Sequence, residues 1–279
     1  MTESGRSEAA AVAFKAFESG AWSARAAVYD RVTGAITRRF EPALLDAAGV
    51  GLRTRLLDVA SGTGHAAAAA AARGAVVTGV DLAEGMVAGA RERHPEIAFR
   101  RADAESLPFG ADSFDAVVAG FLFNHLPRPE RAAAEIARVL SPGGRLAATV
   151  WAGPTRARLM SMLAESVRAA NVPTAAVPPG PDPFRFAEDD QFRSLLLEVG
   201  LVDVDVEQLA HVHQAGDADE LWEGLLGGSV RGSTLVQSQD RGSRRRIRAE
   251  FDRILAEYRH GEGYAIPAAA ALARGSRPS

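Results

Sequence analysis

The sequence has no cysteine, one lysine, few aromatic residues and no long apolar run. Without cysteine there is no disulfide framework, no thiolate nucleophile and no zinc–thiolate site. No stretch approaches the length of a membrane span, and the N-terminal segment mixes charges into its apolar residues, unlike a signal peptide. We therefore expect a cytoplasmic protein without a membrane span.

An excess of basic charge is also missing. The 32 Lys and Arg residues are outnumbered by 35 Asp and Glu residues, and the formal net charge is −3. Proteins that bind the phosphate backbone of a nucleic acid usually carry a basic face. Nucleic acid is therefore disfavoured as a partner. What the chain has in quantity is apolar residues, 47% of 279 positions, which is ample for a packed core.

Helical and extended patterns alternate through the first half of the chain. Helical spacing of apolar residues predicts helices over about 9–48, with interruptions at Gly20 and Gly34, and then over 64–74, 82–94 and 129–140. Short apolar runs between them predict strands at 53–60, 75–81, 97–101, 113–120 and 145–152. Such alternation implies right-handed crossovers and an α/β fold with a parallel sheet between two layers of helices.

The alternation loosens after Trp151. An amphipathic helix is predicted around 159–167, a proline-rich loop follows it, and a second helix covers 189–200. Residues 201–213 alternate with period two and predict one strand, residues 217–260 read as helical, and an alanine-rich segment at 263–273 predicts one final strand.

Acidic residues stand at the carboxyl ends of the first three predicted strands. Asp58 comes just before a glycine turn that contains Gly62 and Gly64, and Asp81 and Asp103 end the next two strands. Gly62, Gly64 and Ala67 also satisfy a loose dinucleotide fingerprint. A carboxylate at Asp58 would repel a pyrophosphate and suits an ammonium group. Asp81 can accept hydrogen bonds from ribose hydroxyls, and Asp103 can accept one from an exocyclic amine.

Four ordered motifs carry a family resemblance. They are LLDVASGTG, VTGVDLAEGMV, RADAESLPFGADSFDAVVAGFLFNHL and IARVLSPGGRLAATVW. The chain resembles the class I S-adenosylmethionine-dependent methyltransferases, in their ubiquinone/menaquinone-biosynthesis-like (methyltransferase type 11) branch. The resemblance implies a Rossmann-like, seven-stranded, mostly parallel sheet with helical insertions. It also implies an enzyme that uses S-adenosylmethionine, releases S-adenosylhomocysteine and methylates a small, partly hydrophobic acceptor such as a secondary metabolite or quinone.

The resemblance assigns roles to individual positions of this chain. Asp58 would meet the methionine amino group, and Asp81 would bind the ribose hydroxyls. Asp103 would accept from the adenine amino group. The other cofactor contacts that it implies are Tyr29, Ala60, Gly62, Gly64, Leu82, Met86, Ala104, Gly120 and Phe121. Ala60 stands where relatives more often have glycine, a small change that we expect to be tolerated if its φ stays negative.

Catalysis is less determined by the sequence. His125 is a candidate general base because its ordinary pKa lies near neutrality, although packing at a helix start is the commoner role of such a residue. Phe121, His125 and Trp151 are the candidate acceptor contacts. His211 and His213 share a strand face without an evident third ligand, so we expect no metal site.

We expect one methyltransferase domain over 1–279, monomeric or homodimeric. A helical lid would cover 1–50 and the cofactor-binding core 51–152. Helical insertions at 153–190 and 217–260 would form the acceptor pocket, and 191–216 and 261–274 would complete the sheet. The alternatives are a cyclase or isomerase that only binds the cofactor, a methyltransferase of RNA or protein, and a nicotinamide-dependent oxidoreductase.

Overall fold

A computed structural model describes residues 3–174 and 177–279. Residues 1–2 of the predicted lid and 175–176 of the first predicted insertion lie outside the described residues. The helices are α1 Glu3–Arg25, α2 Thr33–Thr37, α3 Glu41–Ala47, α4 His65–Ala72, α5 Glu84–Arg93, α6 Pro129–Val139, α7 Arg158–Ala169, α8 Asp189–Glu198, α9 Ala218–Gly228, α10 Val230–Gln237 and α11 Arg241–Leu255. The strands are β1 Arg55–Val59, β2 Val76–Asp81, β3 Ala98–Arg101, β4 Phe114–Gly120, β5 Leu140–Trp151, β6 Val202–Leu209, β7 Val212–Ala215, β8 Arg259–His260, β9 Gly263–Pro267 and β10 Ala270–Ser276.

Several of the later helices begin where local side chains cap them. Asp217 accepts hydrogen bonds from the backbone amides of Asp219 and Glu220 at the start of α9, and Ser229 accepts one at the start of α10. Asp240 caps α11 in the same way. Each cap satisfies amides that the first helical turn leaves without an intrahelical acceptor.

In the part of the chain that the structure describes, seven strands form the main sheet in the order β3-β2-β1-β4-β5-β10-β6. The first five are parallel, and β10 runs antiparallel to both β5 and β6. This confirms the predicted seven-stranded, mostly parallel fold. The strand order reverses direction at β1 and β4, and in open α/β sheets ligands bind at such a switch point.

Two predicted strands are each divided between two sheets. Residues 201–213 do not form one strand, because β6 belongs to the main sheet whereas β7 pairs with β9 in a second, three-stranded sheet. The alanine-rich segment divides likewise into β9 and β10. Pro267 ends β9 since it has no amide hydrogen to donate to a ladder, and the amide of Ala268 bonds instead to the carbonyl of His211.

The predicted interruption at Gly20 is wrong. Helix α1 continues through Gly20 to Arg25, and a Cβ atom at Gly20 would meet open space. A helical glycine costs about 1 kcal/mol relative to alanine, which the packing of α1 against α5 and the sheet edge offsets. Gly34 lies inside the short α2, and the helical segment predicted at 217–260 is three helices followed by a 3₁₀ turn and β8.

A hydrophobic cluster beside the sheet edge joins segments far apart in the sequence. It unites Ile36 of α2 and Phe40 with Met162 of α7, Trp222 of α9 and Phe251 of α11. We call this cluster the cap core and α2, α7, α9, α10 and α11 the cap helices. Phe121 and Trp151 at the ends of β4 and β5 belong to it, so the cap is packed directly on the carboxyl edge of the sheet.

Among the described helices, none combines the length and the apolarity needed to cross a lipid bilayer.

Candidate active site

A cleft opens at the carboxyl ends of β1 and β4, under the segment that includes α2 and α3. The volume of the cleft, including its open mouth, is about 520 Å³. Its floor comes from the sheet and the β1–α4 turn, and its roof from the N-terminal segment. The lining residues are Tyr29, Thr37, Phe40, Glu41, Leu44, Asp58, Ala60, Ser61, Gly62, Thr63, His65, Ala66, Gly120, Phe121 and Thr149. The structure thus brings together five of the predicted site residues that lie on β1, on β4 or in the turns after them, namely Asp58, Ala60, Gly62, Gly120 and Phe121, and adds Tyr29 to them.

The β1–α4 turn is built from left-handed residues. Gly62 has φ 53° and Gly64 has φ 89°, values that glycine adopts without a steric penalty. A Cβ at Gly64 would lie 2.9 Å from the Phe99 ring, so this position also needs a small residue. The glycines therefore allow the tight turn between β1 and α4 and the close packing of Gly64 against Phe99.

Ala60 does not meet the condition under which it would be tolerated without strain, because its φ is 62°. Phe121, directly after β4, is left-handed too, with φ 56°. Such backbone costs an L-residue roughly 1–2 kcal/mol. Both residues line the cleft, whereas the other non-glycine residues found with positive φ in the described part of the chain, Arg53, Asp112, Asn171 and Asp203, lie outside its lining.

Asp58 carries an unsatisfied carboxylate at the floor of the cleft. The residue is only 2% exposed, and among the described residues no group donates a hydrogen bond to its Oδ2. Burial, with repulsion from Glu41 and Asp81, raises its pKa to about 8. A buried acceptor without a partner is costly, so this atom is disposed to receive a cationic donor.

Asp81 is held at the end of β2 by backbone amides of the neighbouring turns. Its Oδ2 accepts from Gly62 at 2.9 Å, and its Oδ1 accepts from Ala83 at 2.8 Å. Burial raises its pKa, and these hydrogen bonds oppose that rise. The carboxylate therefore ties the β1 and β2 turns together and keeps further lone pairs for a ligand.

Helix α1 covers the ends of β2 and β3, where the remaining cofactor contacts were predicted. The ammonium of Lys15 lies 2.5 Å from Oδ2 of Asp103 and 3.0 Å from Oε2 of Glu105. The Ser19 hydroxyl donates to the carbonyl of Leu82 at 3.0 Å. Met86 and Ala104 are buried in the same region. None of these predicted residues is among those that line the cleft, because α1 lies over them.

His125 lies outside the lining of the cleft. Its Nδ1 is 3.4 Å from Oε2 of Glu18, and its ring meets Trp22 edge-on with centroids 5.6 Å apart. Trp22 also donates to Glu18 and packs edge-on against Tyr29. The indole thus stands between His125 and a residue of the cleft, and His125 contacts α1.

A series of aromatic rings connects the cleft with the cap core. The rings of Phe121 and Trp151 have centroids 4.1 Å apart, and Phe40 meets Phe121 at 5.8 Å. His211 packs edge-on against Phe40 at 6.0 Å, and burial with the charge of Arg39 lowers its pKa. Of the two predicted acceptor aromatics, Phe121 lines the cleft and Trp151 lies behind it.

Sequence reasoning missed the polar residues that the N-terminal segment brings to the cleft. Oδ1 of Asp30 lies 3.0 Å from Nε2 of His65 and accepts a hydrogen bond from Oγ1 of Thr63 at 3.2 Å. The guanidinium of Arg38 lies 3.3 Å from this Oδ1 atom. Glu41, at the first position of α3, lines the cleft and has a pKa raised by burial to about 7. Ahead of Pro42 it looks like an ordinary acidic residue of a first helical turn, so no sequence signal marked it.

Comparison with known proteins decides the family. A family model described as a methyltransferase domain matches residues 57–148. A demethylmenaquinone methyltransferase from Renibacterium salmoninarum is 32% identical over 182 residues, which cover 62% of this chain and 77% of that protein. The chain belongs to the class I S-adenosylmethionine-dependent methyltransferases, in their ubiquinone/menaquinone-like branch.

Solved structures with little sequence identity share the fold of this methyltransferase. The YcgJ protein from Bacillus subtilis has a TM-score of 0.59 at 19% identity, covering 86% of this chain and 99% of that chain. The cyclase SpnF has a TM-score of 0.53 at 20% identity, covering 86% and 81%. At these identities the likeness concerns the α/β architecture alone.

The residues of the cleft fit the methyl donor of this methyltransferase family. The donor has an ammonium group, and the buried Oδ2 of Asp58 needs a donor of that kind. Gly62 borders the same cleft, and a Cβ atom there would have no neighbour within 4 Å, so there is space for a ligand beside the turn. Within 3–174 and 177–279 no three His, Cys, Asp or Glu side chains are grouped to hold a metal ion.

Proposed function

We propose that this enzyme transfers the methyl group of S-adenosylmethionine, by in-line displacement, to a small and partly hydrophobic acceptor, and that it does so in one domain over 1–279. The observation that carries the proposal is the contact of Phe121 with Trp151, which joins the polar cleft to the apolar cap core. A small molecule bound at this junction would have an apolar wall on one side and the methyl donor on the other.

We propose that the donor lies across the carboxyl edge of β1, β2 and β4. The orphaned Oδ2 of Asp58 supports a contact with its ammonium group, and the free lone pairs of Asp81 support contacts with its ribose hydroxyls. The turn through Ala60, Gly62 and Gly64 would pass under it. Further contacts are proposed for Tyr29, Gly120 and Phe121 near the sulfur, and for Leu82, Met86, Asp103 and Ala104 around the adenine.

The bound donor supplies a methyl group on a cationic sulfur, which is already activated for displacement. The chain then has mainly to position an acceptor and exclude water, and orientation alone can supply much of the acceleration. The segments proposed for this task are the N-terminal lid at 1–50 and the insertions at 153–190 and 217–260, around the core at 51–152. Of the lengths 191–216 and 261–274, which the sequence assigned to the main sheet, β6 and β10 complete that sheet, whereas β7 and β9 belong to the second sheet.

A base is required only if the acceptor is a neutral hydroxyl or a carbon acid. His125, the base candidate in the sequence, has its Nδ1 directed at Glu18. We therefore propose that His125 acts on the acceptor only if Nε2 reaches it when α1 shifts.

The acceptor class that we propose is a quinone-like or related aromatic metabolite. Support comes from relatives named demethylmenaquinone methyltransferases and from the aromatic residues between cleft and cap core. Phe40, Phe121 and Trp151 offer faces on which a planar ring can pack.

The experiment is a turnover assay with methyl-labelled S-adenosylmethionine and a panel of reduced naphthoquinones, benzoquinones, phenols and amines. We expect label in a naphthoquinol or phenol product and one S-adenosylhomocysteine released per product. Turnover without release of S-adenosylhomocysteine would instead favour a cyclase or isomerase. Label found only in RNA or protein would overturn the small-molecule proposal.

A further inference from the structure

Two carboxylates from different parts of the chain line the same cleft. Asp58 ends β1 in the core, whereas Glu41 begins α3 above the cleft, and both line it. Asp58 is the deeper of the two and has the unpartnered Oδ2. A buried acidic pair of this kind is unfavourable unless a positive group enters between or beside the two side chains.

The cationic groups near Glu41 are engaged elsewhere. Arg38 and His65 both contact Oδ1 of Asp30. Among the described residues, neither forms an ion pair with Glu41, although both lower its pKa through the field of their charge. A ligand with a cationic group would give Glu41 and Asp58 the direct partner that these side chains do not provide.

Resting on the proposed function, we propose that Glu41 is a second carboxylate for the ammonium group of the methyl donor, opposite Asp58. The ammonium group has three N–H donors, and one carboxylate beneath it leaves donors free for a second carboxylate above it. The ammonium group of the ligand would then link the N-terminal segment above the cleft to β1 below it.

The charge state of the pair provides an independent readout. Glu41 faces His65, Arg38 and Asp30 from the neighbouring elements, and Asp58 faces Glu41 and Asp81. The pKa of Glu41 is raised to about 7 and that of Asp58 to about 8, so near neutral pH each holds a proton in part of the molecules. An ammonium group between them favours both ionised forms. Binding of the ligand should therefore release protons.

The test is calorimetry of Glu41→Gln with two probes, S-adenosylhomocysteine and its deamino analogue, which lacks only the amino group. We expect Glu41→Gln to weaken binding of S-adenosylhomocysteine about ten- to hundredfold, the range for a lost hydrogen bond to a charged group. Binding of the deamino analogue should not weaken. Asp46→Asn, an exposed carboxylate on the same helix, is the matched control and should change neither affinity.

The same titrations in buffers of different ionisation enthalpy count the protons released. We expect the wild-type enzyme to release protons near pH 7, and Glu41→Gln to release fewer. Absence of proton release from the wild-type enzyme would contradict the carboxylate pair even if the variant does not fold, and release of more than one proton per ligand requires a second carboxyl beside Asp58. Equal losses for both probes would also overturn the role of Glu41. Failure of the wild-type enzyme to bind S-adenosylhomocysteine would instead refute the proposed donor.

Discussion

The ammonium of Lys15 lies 2.5 Å from Oδ2 of Asp103, the carboxylate that we propose for the adenine amino group. The other oxygen of Asp103 accepts from the backbone amide of Glu105 at 2.9 Å. Asp103 is thus already bonded through both oxygens before any ligand is considered. An adenine amino group would compete with Lys15 for Oδ2 unless it took a lone pair that these bonds leave free, so binding of the donor would be coupled to the position of α1.

Lys15→Met removes this competition. We expect the affinity for S-adenosylhomocysteine to rise about threefold, since partly exposed ion pairs contribute about 0–1 kcal/mol. Isothermal calorimetry measures the change. Arg274→Met, which breaks the exposed pair with Asp205, is the control and should leave the affinity unchanged. Weaker binding by Lys15→Met would show that the lysine belongs to the adenine site and does not compete with it.

His125→Ala removes the contacts of His125 with Glu18 and Trp22. We expect α1 to be held less firmly, with faster cleavage of the N-terminal segment by trypsin at Lys15 and Arg25. The pH dependence of kcat should keep its shape, because the ring faces α1. Loss of a titration near the ordinary pKa of histidine from the kcat profile, with unchanged proteolysis, would instead identify His125 as a general base.

The ligand-free enzyme should lose stability through Asp58 as the pH rises. The unfolded chain ionises this carboxyl near pH 4, whereas the folded chain keeps it protonated up to a pKa of about 8. The contribution of Asp58 to the free energy of unfolding is therefore complete below about pH 4 and is lost progressively as the pH rises towards 8. We expect Asp58→Asn to gain stability relative to wild type over that range, by roughly a few kcal/mol.

Urea unfolding of wild type and Asp58→Asn at pH 5 and pH 8 measures this difference. Using the difference between the two proteins cancels the other titrating groups. A difference that does not change with pH would contradict the raised pKa of Asp58. Saturation with S-adenosylhomocysteine should reduce the difference at pH 8, since its ammonium group stabilises the ionised carboxylate.

Gly224→Ala should weaken the packing of α9 against the segment just before α2. A Cβ atom on Gly224 of α9 would lie 1.9 Å from Cγ2 of Val32. We expect a loss of about 1–3 kcal/mol in the free energy of unfolding, the usual cost of overpacking. Gly216→Ala is the matched control, because a Cβ there has no neighbour within 4 Å. Equal stability of the two variants would show that α9 can move away from Val32 without cost.

Local sequence patterns predicted the strands of the sheet because the apolar residues of each strand mark the faces that it buries. The apolar runs that end in Asp58 and Asp81 lie in β1 and β2, as their periodicity indicates. The same kind of pattern did not show that residues 201–213 divide between two sheets. Alternation identifies an extended segment with one buried face, but it carries no information about which neighbouring strand the segment joins.

Long-range contacts at the site were beyond the sequence patterns. Lys15 and Asp103 are 88 positions apart, and nothing local to either predicts their ion pair. The sequence left the φ of Ala60 open, and the turn places it in the left-handed region. The left-handed conformation is required by the path of the backbone between β1 and α4, and the surrounding structure holds that path in place.

The sequence by itself determined the order of strands and helices, the family, and the placing of Asp58, Asp81 and Asp103 at strand ends. These follow from local periodicity, from motif order and from the rule that parallel strands end at one edge. Only the tertiary structure decided that Glu41 lines the same cleft as Asp58 and that α1 brings Lys15 to Asp103. Those relationships depend on how a distant helical segment packs on the sheet, and the free energy of that packing is a property of the assembled surfaces and not of any single stretch.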